Sequence, residues 1–117
     1  MRILNHCPHP ISLEGADGTI TTIRPKRPAV RIETRPGEYL YDIQTVPVYS
    51  ASTYERIANL PEKKGGTLIV VSQICAIMIN ALHPDRDDVV FPATDPLDFP
   101  TRDASGVRSV TRLIRAV

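Results

Sequence analysis

Residues 67–82 read TLIVVSQICAIMINAL, and the fold turns on them. The first five residues are apolar on both faces of an extended chain. That pattern suits a central strand covered on both sides rather than one with a wet face. Ser72 follows, a residue type that caps helices. From there Ile74, Cys75, Ile77, Met78, Ile79 and Leu82 predict a helix to about Leu82, apolar nearly all round, which Pro84 brings to an end. A helix of that character is expected inside the fold. Its polar residues Gln73 and Asn80 lie seven apart and share a face. The run carries Ser72, Gln73 and Asn80 and falls short of the roughly 20 apolar residues a membrane span needs. One buried cluster is expected from Val70, Ile74, Ile77, Met78 and Val90.

Working outward, MRILN (1–5) reads as a first strand broken by Pro8 and Pro10. PISLEGADGTITTI (10–23) reads as a hairpin turning at EGADG. AVRIETR (29–35) alternates, with Arg31, Glu33 and Arg35 on a wet face and Val30 and Ile32 on the other. EYLYDIQTVPVYS (38–50) is strand-like, and Pro47 places it at an edge or a bulge. TYERIAN (53–59) suggests a short helical turn, stopped by Leu60-Pro61. DVVFP (88–92) is a strand, 95–106 a loop, and VRSVTRLIRAV (107–117) reads as a closing strand, although Arg108, Arg112 and Arg115 have helical spacing. The expectation is a single α+β domain over 1–117. It is a small β-rich domain, an antiparallel sheet or partly open barrel, around one buried helix near 72–82.

Composition narrows the function. The chain has 117 residues, 42% of them apolar, and a net charge of +1. Such a balance offers no global field for nucleic acid or an anionic membrane. The opening MRILNHCPHP lacks the apolar core of a signal peptide, so a cytoplasmic location in the host cell is expected. Two distant cysteines fit a reducing compartment. No cofactor motif or phosphate loop is present; Gly65-Gly66 is a turn.

LNHCPHPI (4–11), NLP (59–61), GTLIVVS (66–72), RDDVVFP (86–92) and TRDASGVRSV (101–110) occur in that order. In this the chain resembles a family of small uncharacterised proteins of bacteriophages, prophages and bacteria. The matching positions are Asn5, Pro8, His9, Ile11, Leu60, Pro61, Ser72, Arg86, Asp88, Val89, Pro92, Arg102, Asp103 and Gly106. His6 and Cys7 depart from it, standing where the family tends to carry an aliphatic residue and threonine. The resemblance implies a phage-borne protein and implies no activity. Small phage proteins of this size act by sequestering a host molecule, such as a nucleotide-derived signal of antiphage defence, or as virion accessories and inhibitors of host proteins.

Several chemistries compete for the remaining residues. Cys7, His9, Cys75 and His83 make up the donor set of a Cys2His2 zinc site, but Cys7-x-His9 is too tightly spaced and Cys75 lies on an apolar helix face. Cys7 and His9 also resemble a thiol–imidazole pair, with no visible means of lowering the thiol pKa. A small hydrolase is therefore the weakest reading, and a non-enzymatic protein the strongest. The segment RPKRPAVRIETR (24–35) holds five basic residues, and four tyrosines fall between 39 and 54. Arginine forks suit phosphates, and tyrosines stack on bases. The candidate ligand-binding set is accordingly Arg24, Lys26, Arg27, Arg31 and Tyr41, joined by Asn5, His9, Ser72 and Arg86 from the shared motifs. It would take a small phosphorylated ligand, with a subunit interface of a homo-oligomer as one location. The alternative is a structural or protein-interaction module, which needs an exposed apolar or aromatic patch instead of a pocket.

Overall fold

The central apolar run of the sequence forms the centre of a sheet. The computed structural model describes residues 1–95, 100–103 and 106–117. Strand β8 (Thr67–Val70) lies between β1 (Arg2–Asn5) and β9 (Val89–Pro92), parallel to both, and β12 (Leu113–Ile114) adds to β9 antiparallel. Helix α1 (Gln73–Leu82) is the crossover that lets β8 and β9 run parallel, a connection too long for a hairpin. The β-rich α+β class thus holds with open sheets, and its central sheet is mixed rather than antiparallel.

Alternation along β8 divides the core. Ile69 and Val71 face one way and join Val30, Cys75, Ala76, Ile79, Val89 and Phe91. Val70 faces the other way and joins Cys7, Ile11 and Val90. The first face is covered by α1. The second is covered by the hairpin of β2 (Ile11–Glu14) and β3 (Ile20–Ile23), which turns where expected with Gly18 at φ 83°. Burial on both faces is why 68–71 has no polar position.

The helix does not sit inside the fold. Cys75, Ala76 and Ile79 are buried, whereas Ile74, Ile77 and Leu82 are 52–56% exposed and Met78 is half-buried. The expected single cluster is therefore split: Val70 and Val90 are core residues, and Ile74 and Ile77 are surface residues. Truncating Ile79 to alanine removes packing on the order of 2–5 kcal/mol; Ile77 lacks the surroundings for such a loss. Ser72 occupies the N-cap position, but its hydroxyl makes no capping bond. Its carbonyl accepts the Ala76 N–H at 2.9 Å.

The largest departure from expectation lies between residues 31 and 58. Strand β4 (Arg31–Arg35) pairs antiparallel with β7 (Thr53–Ala58), so TYERIAN is a strand and not a helical turn. Between them β5 (Tyr39–Ile43) and β6 (Val46–Tyr49) form a second antiparallel pair, closed by Gln44–Thr45 with Gln44 at φ 58°. Together they make one long arm that leaves the body at β4 and returns through β7. At about 3.3 Å per residue the arm reaches roughly 40 Å. It accounts for a molecule 58 Å long with a radius of gyration of 17.4 Å, where a compact chain of this length has about 13 Å. Strands β10 (Thr101–Asp103) and β11 (Gly106–Ser109) pair with each other. Part of the expected loop, 96–99 and 104–105, lies outside the described residues. The closing segment is extended as expected, through β11 and β12.

Candidate functional site

Asn5 answers what the proline-flanked histidine–cysteine stretch is for. Its side chain is fully buried at the end of β1. The carboxamide oxygen accepts the Cys7 N–H at 2.9 Å, and the amide donates to the carbonyls of His9 (2.9 Å) and Ile23 (3.0 Å). One carboxamide thus folds the 5–9 loop back on itself and ties it to β3. His6 is buried as well, with Nδ1 3.1 Å from the Pro28 carbonyl. A carbonyl only accepts, so Nδ1 carries the proton, and Nε2 has no partner among the described residues.

The two cysteines are core residues. Cys7 Sγ lies 3.9 Å from the Val70 carbonyl and Cys75 Sγ 3.6 Å from that of Val30. His9 is exposed against Pro10, and His83 ends α1. The zinc donor set is not assembled: no group of three or more potential metal ligands gathers among the described residues. Burial, followed by the nearby Cys75, pushes the Cys7 thiol from 9.0 up to about 11. It is protonated at neutral pH and is no nucleophile. A thiol whose pKa is raised by folding stabilises the fold below its unfolded value, and that contribution is lost as pH rises from 9 to about 11. Melting curves across this window should show a falling stability that Cys7→Ala flattens; an equal slope in both proteins would refute the assignment.

Arg86 is also built into the scaffold. Its guanidinium grips Asp88 with two bonds, Nε to Oδ1 at 2.9 Å and Nη2 to Oδ2 at 3.0 Å, and donates to the Pro61 carbonyl at 2.9 Å. The motif residues Pro61, Arg86 and Asp88 therefore form one clamp between the NLP loop and β9.

The basic segment is sorted into two groups. Arg31 lies 3.6 Å from Glu33, Arg35 2.8 Å from Glu55, and Arg56 2.6 Å from Glu33, all along the shaft of the arm. The Arg56 guanidinium holds the Glu33 carboxyl below the usual carboxylate range. Arg24, Lys26 and Arg27 are exposed and make no ion pair among the described residues. Arg27 lines a cleft of about 420 Å³ with Cys7, Pro8, Pro25, Pro28 and Ala29. His9 lines a different and smaller cleft of about 160 Å³ with Ser12, Thr94 and Ser109.

Tyr41 belongs to neither cleft. Tyr39, Tyr41, Tyr49 and Tyr54 are all on the arm, and Tyr41 stands some ten residues along an extended chain from Arg31, roughly 30 Å away. The nominated residues thus form no single site: Asn5 and Arg86 are in separate scaffold clamps, Ser72 is at the cap of α1, Arg31 on the shaft, His9 and Arg27 at separate clefts, Arg24 and Lys26 exposed beside Arg27 in the chain, and Tyr41 near the arm tip.

The sequence reading missed this tip. Val46 and Val48 share one face of β6, and the paired residues Ile43 and Tyr41 put their side chains on the same side. Pro47 and Tyr49 share the other face with their partners Asp42 and Tyr39. Tyr39 and Tyr49 meet edge to face at 5.8 Å. One ribbon face is apolar and the other is aromatic around Asp42, and Tyr39, Leu40, Tyr41, Ile43, Val46 and Tyr49 are 53–62% exposed. Its neck is tight: the Glu38 N–H donates to Ser50 Oγ at 2.8 Å, and a Cβ on Gly37 would overlap the Ser50 carbonyl. Alternating apolar residues with four tyrosines were the available signal. No family model, curated protein or solved structure matches this chain.

Proposed function

We propose that this protein is a non-enzymatic interaction module whose working surface is the tip of the arm. One observation carries the reading: a two-stranded ribbon rich in apolar and aromatic residues stands away from the core with most of its large side chains exposed. A lone two-stranded hairpin is marginal in water, and contiguous exposed apolar patches mark interaction sites. The shaft supports the same use. Its charges neutralise one another across β4 and β7, so it serves as a spacer, while Ile32 and Ile57 at its base pack on the core. In the phage-borne setting that the resemblance implies, this is the part of a virion accessory or of an inhibitor of a host protein.

A photo-crosslinking residue in place of Tyr49, compared with one at exposed Thr21, tests it in the producing cell. Defined crosslinked species from position 49 and none from position 21 are expected. Equal or absent crosslinking at 49 defeats the reading.

A second reading rests on Arg24, Lys26 and Arg27, which make no ion pair among the described residues while Arg31, Arg35 and Arg56 do. Three such cations beside a proline-lined cleft suit a small phosphorylated ligand, such as a nucleotide-derived signal. A nucleotide thermal-shift panel in which Arg27→Ala abolishes the shift would favour it; a panel without a hit would remove it.

A further inference from the structure

We infer that the surface covering the arm tip is a second copy of this chain, the two arms lying side by side and antiparallel. The inference rests on the interaction-module reading and names the partner.

Its first support is charge. Between residues 36 and 52 the only charged residues are Glu38 and Asp42. Arg24, Lys26 and Arg27, which make no ion pair among the described residues, sit at the opposite end of the arm, a few residues before β4 begins. An acidic, aromatic tip and a basic, proline-lined cleft are thus held apart by the arm's own length, roughly 40 Å. The stiff shaft prevents them from meeting within one chain. Two antiparallel arms bring each tip to the other's base. Because the separation is the same in both copies, a twofold axis satisfies both contacts at once. Asp42 shares a ribbon face with Tyr39, Pro47 and Tyr49, and this face seats over the cleft. There the tyrosines meet prolines and the Arg27 guanidinium, a stacking and cation–π arrangement.

The second support is the exposed apolar surface. The tip side chains Tyr39, Leu40, Tyr41, Ile43, Val46 and Tyr49 are each more than half uncovered, and the reciprocal arrangement lets each copy contribute both a tip and a base toward the roughly 800 Å² that a stable interface takes from each partner. The net charge of +1 leaves little repulsion between copies.

The test is sedimentation of the full chain at up to about 100 µM. The wild type should be dimeric, more weakly so at high salt. A tip variant, Glu38→Lys with Asp42→Lys, and a base variant, Arg24→Glu with Arg27→Glu, should each associate at least about 100-fold more weakly. Both should keep the monomer's circular dichroism. Mixed together, they present opposite charges at both contacts and should form a heterodimer. A monomeric wild type, or a mixture that stays monomeric, overturns the inference. If position 49 then crosslinks to a different protein, the second copy is excluded and the interaction-module reading stands. If it crosslinks to nothing, both fall.

Discussion

Arg86→Ala should destabilise the protein by about 3–5 kcal/mol, more than any exposed arginine in the chain. Asp88 is 5% exposed and Arg86 13% exposed at their side chains, so the substitution strands a carboxylate where water cannot reach it. It also strips the Pro61 carbonyl of its donor. Asp88 immediately precedes β9, and its own carbonyl accepts the Ile69 N–H at 2.8 Å. The damage therefore lands on the pairing of the two central strands. Arg86→Met with Asp88→Leu should recover much of the loss, because an apolar pair of similar volume leaves no charge unpaired. Urea unfolding of the three variants decides the matter. A single-variant loss below about 1 kcal/mol would mean the guanidinium is free to serve a ligand instead.

Asn5→Ala comes next, with an expected loss of about 3 kcal/mol or more. It removes three hydrogen bonds at a fully buried site and leaves the Cys7 N–H and the His9 and Ile23 carbonyls to find other partners. A buried group left unpaired costs about 1–3 kcal/mol. Asn5→Asp separates the two halves of the carboxamide. A carboxylate still accepts from Cys7 but donates to neither carbonyl, so it should be as damaging at neutral pH. It should partly recover in acid, where the protonated form regains one donor. The check is denaturant melts at pH 7 and pH 4. If Asn5→Asp is indistinguishable from wild type at pH 7, the two donor bonds carry no stability.

Both residues stood in the candidate binding set, and their placement shows which kind of signal a sequence carries. Both positions carry structural constraints, but a polar residue has the same appearance in a sequence whether it grips a ligand or a carbonyl. Only the partner separates the two, and the partners that tie Asn5 and Arg86 to another element, Ile23 and Pro61, are 18 and 25 residues away. The basic segment illustrates the same point. Five cations in one stretch look alike until the structure pairs Arg31 with Glu33 on its own strand and Arg35 with Glu55 across the shaft, and gives the other three no ion pair among the described residues.

The amino-acid sequence by itself determined the elements whose information is local. The strand at 67–70 announced its burial by having no polar face, the helix its start and stop, and the first hairpin its glycine turn. The arm was not legible in that way. Its turn is Gln44–Thr45, without the Asn-Gly or Gly that signals a tight hairpin, and the left-handed Gln44 is held there by the strands on either side. TYERIAN has residues that tolerate a helix, and it becomes a strand because β4 pairs with it. The direction of the central strands was equally out of reach, since parallel pairing is a choice made between segments distant in the chain. Periodicity reports how a segment meets its surroundings. Which segment supplies those surroundings, and whether an apolar face such as the arm tip is left exposed, is decided only when the whole chain has folded.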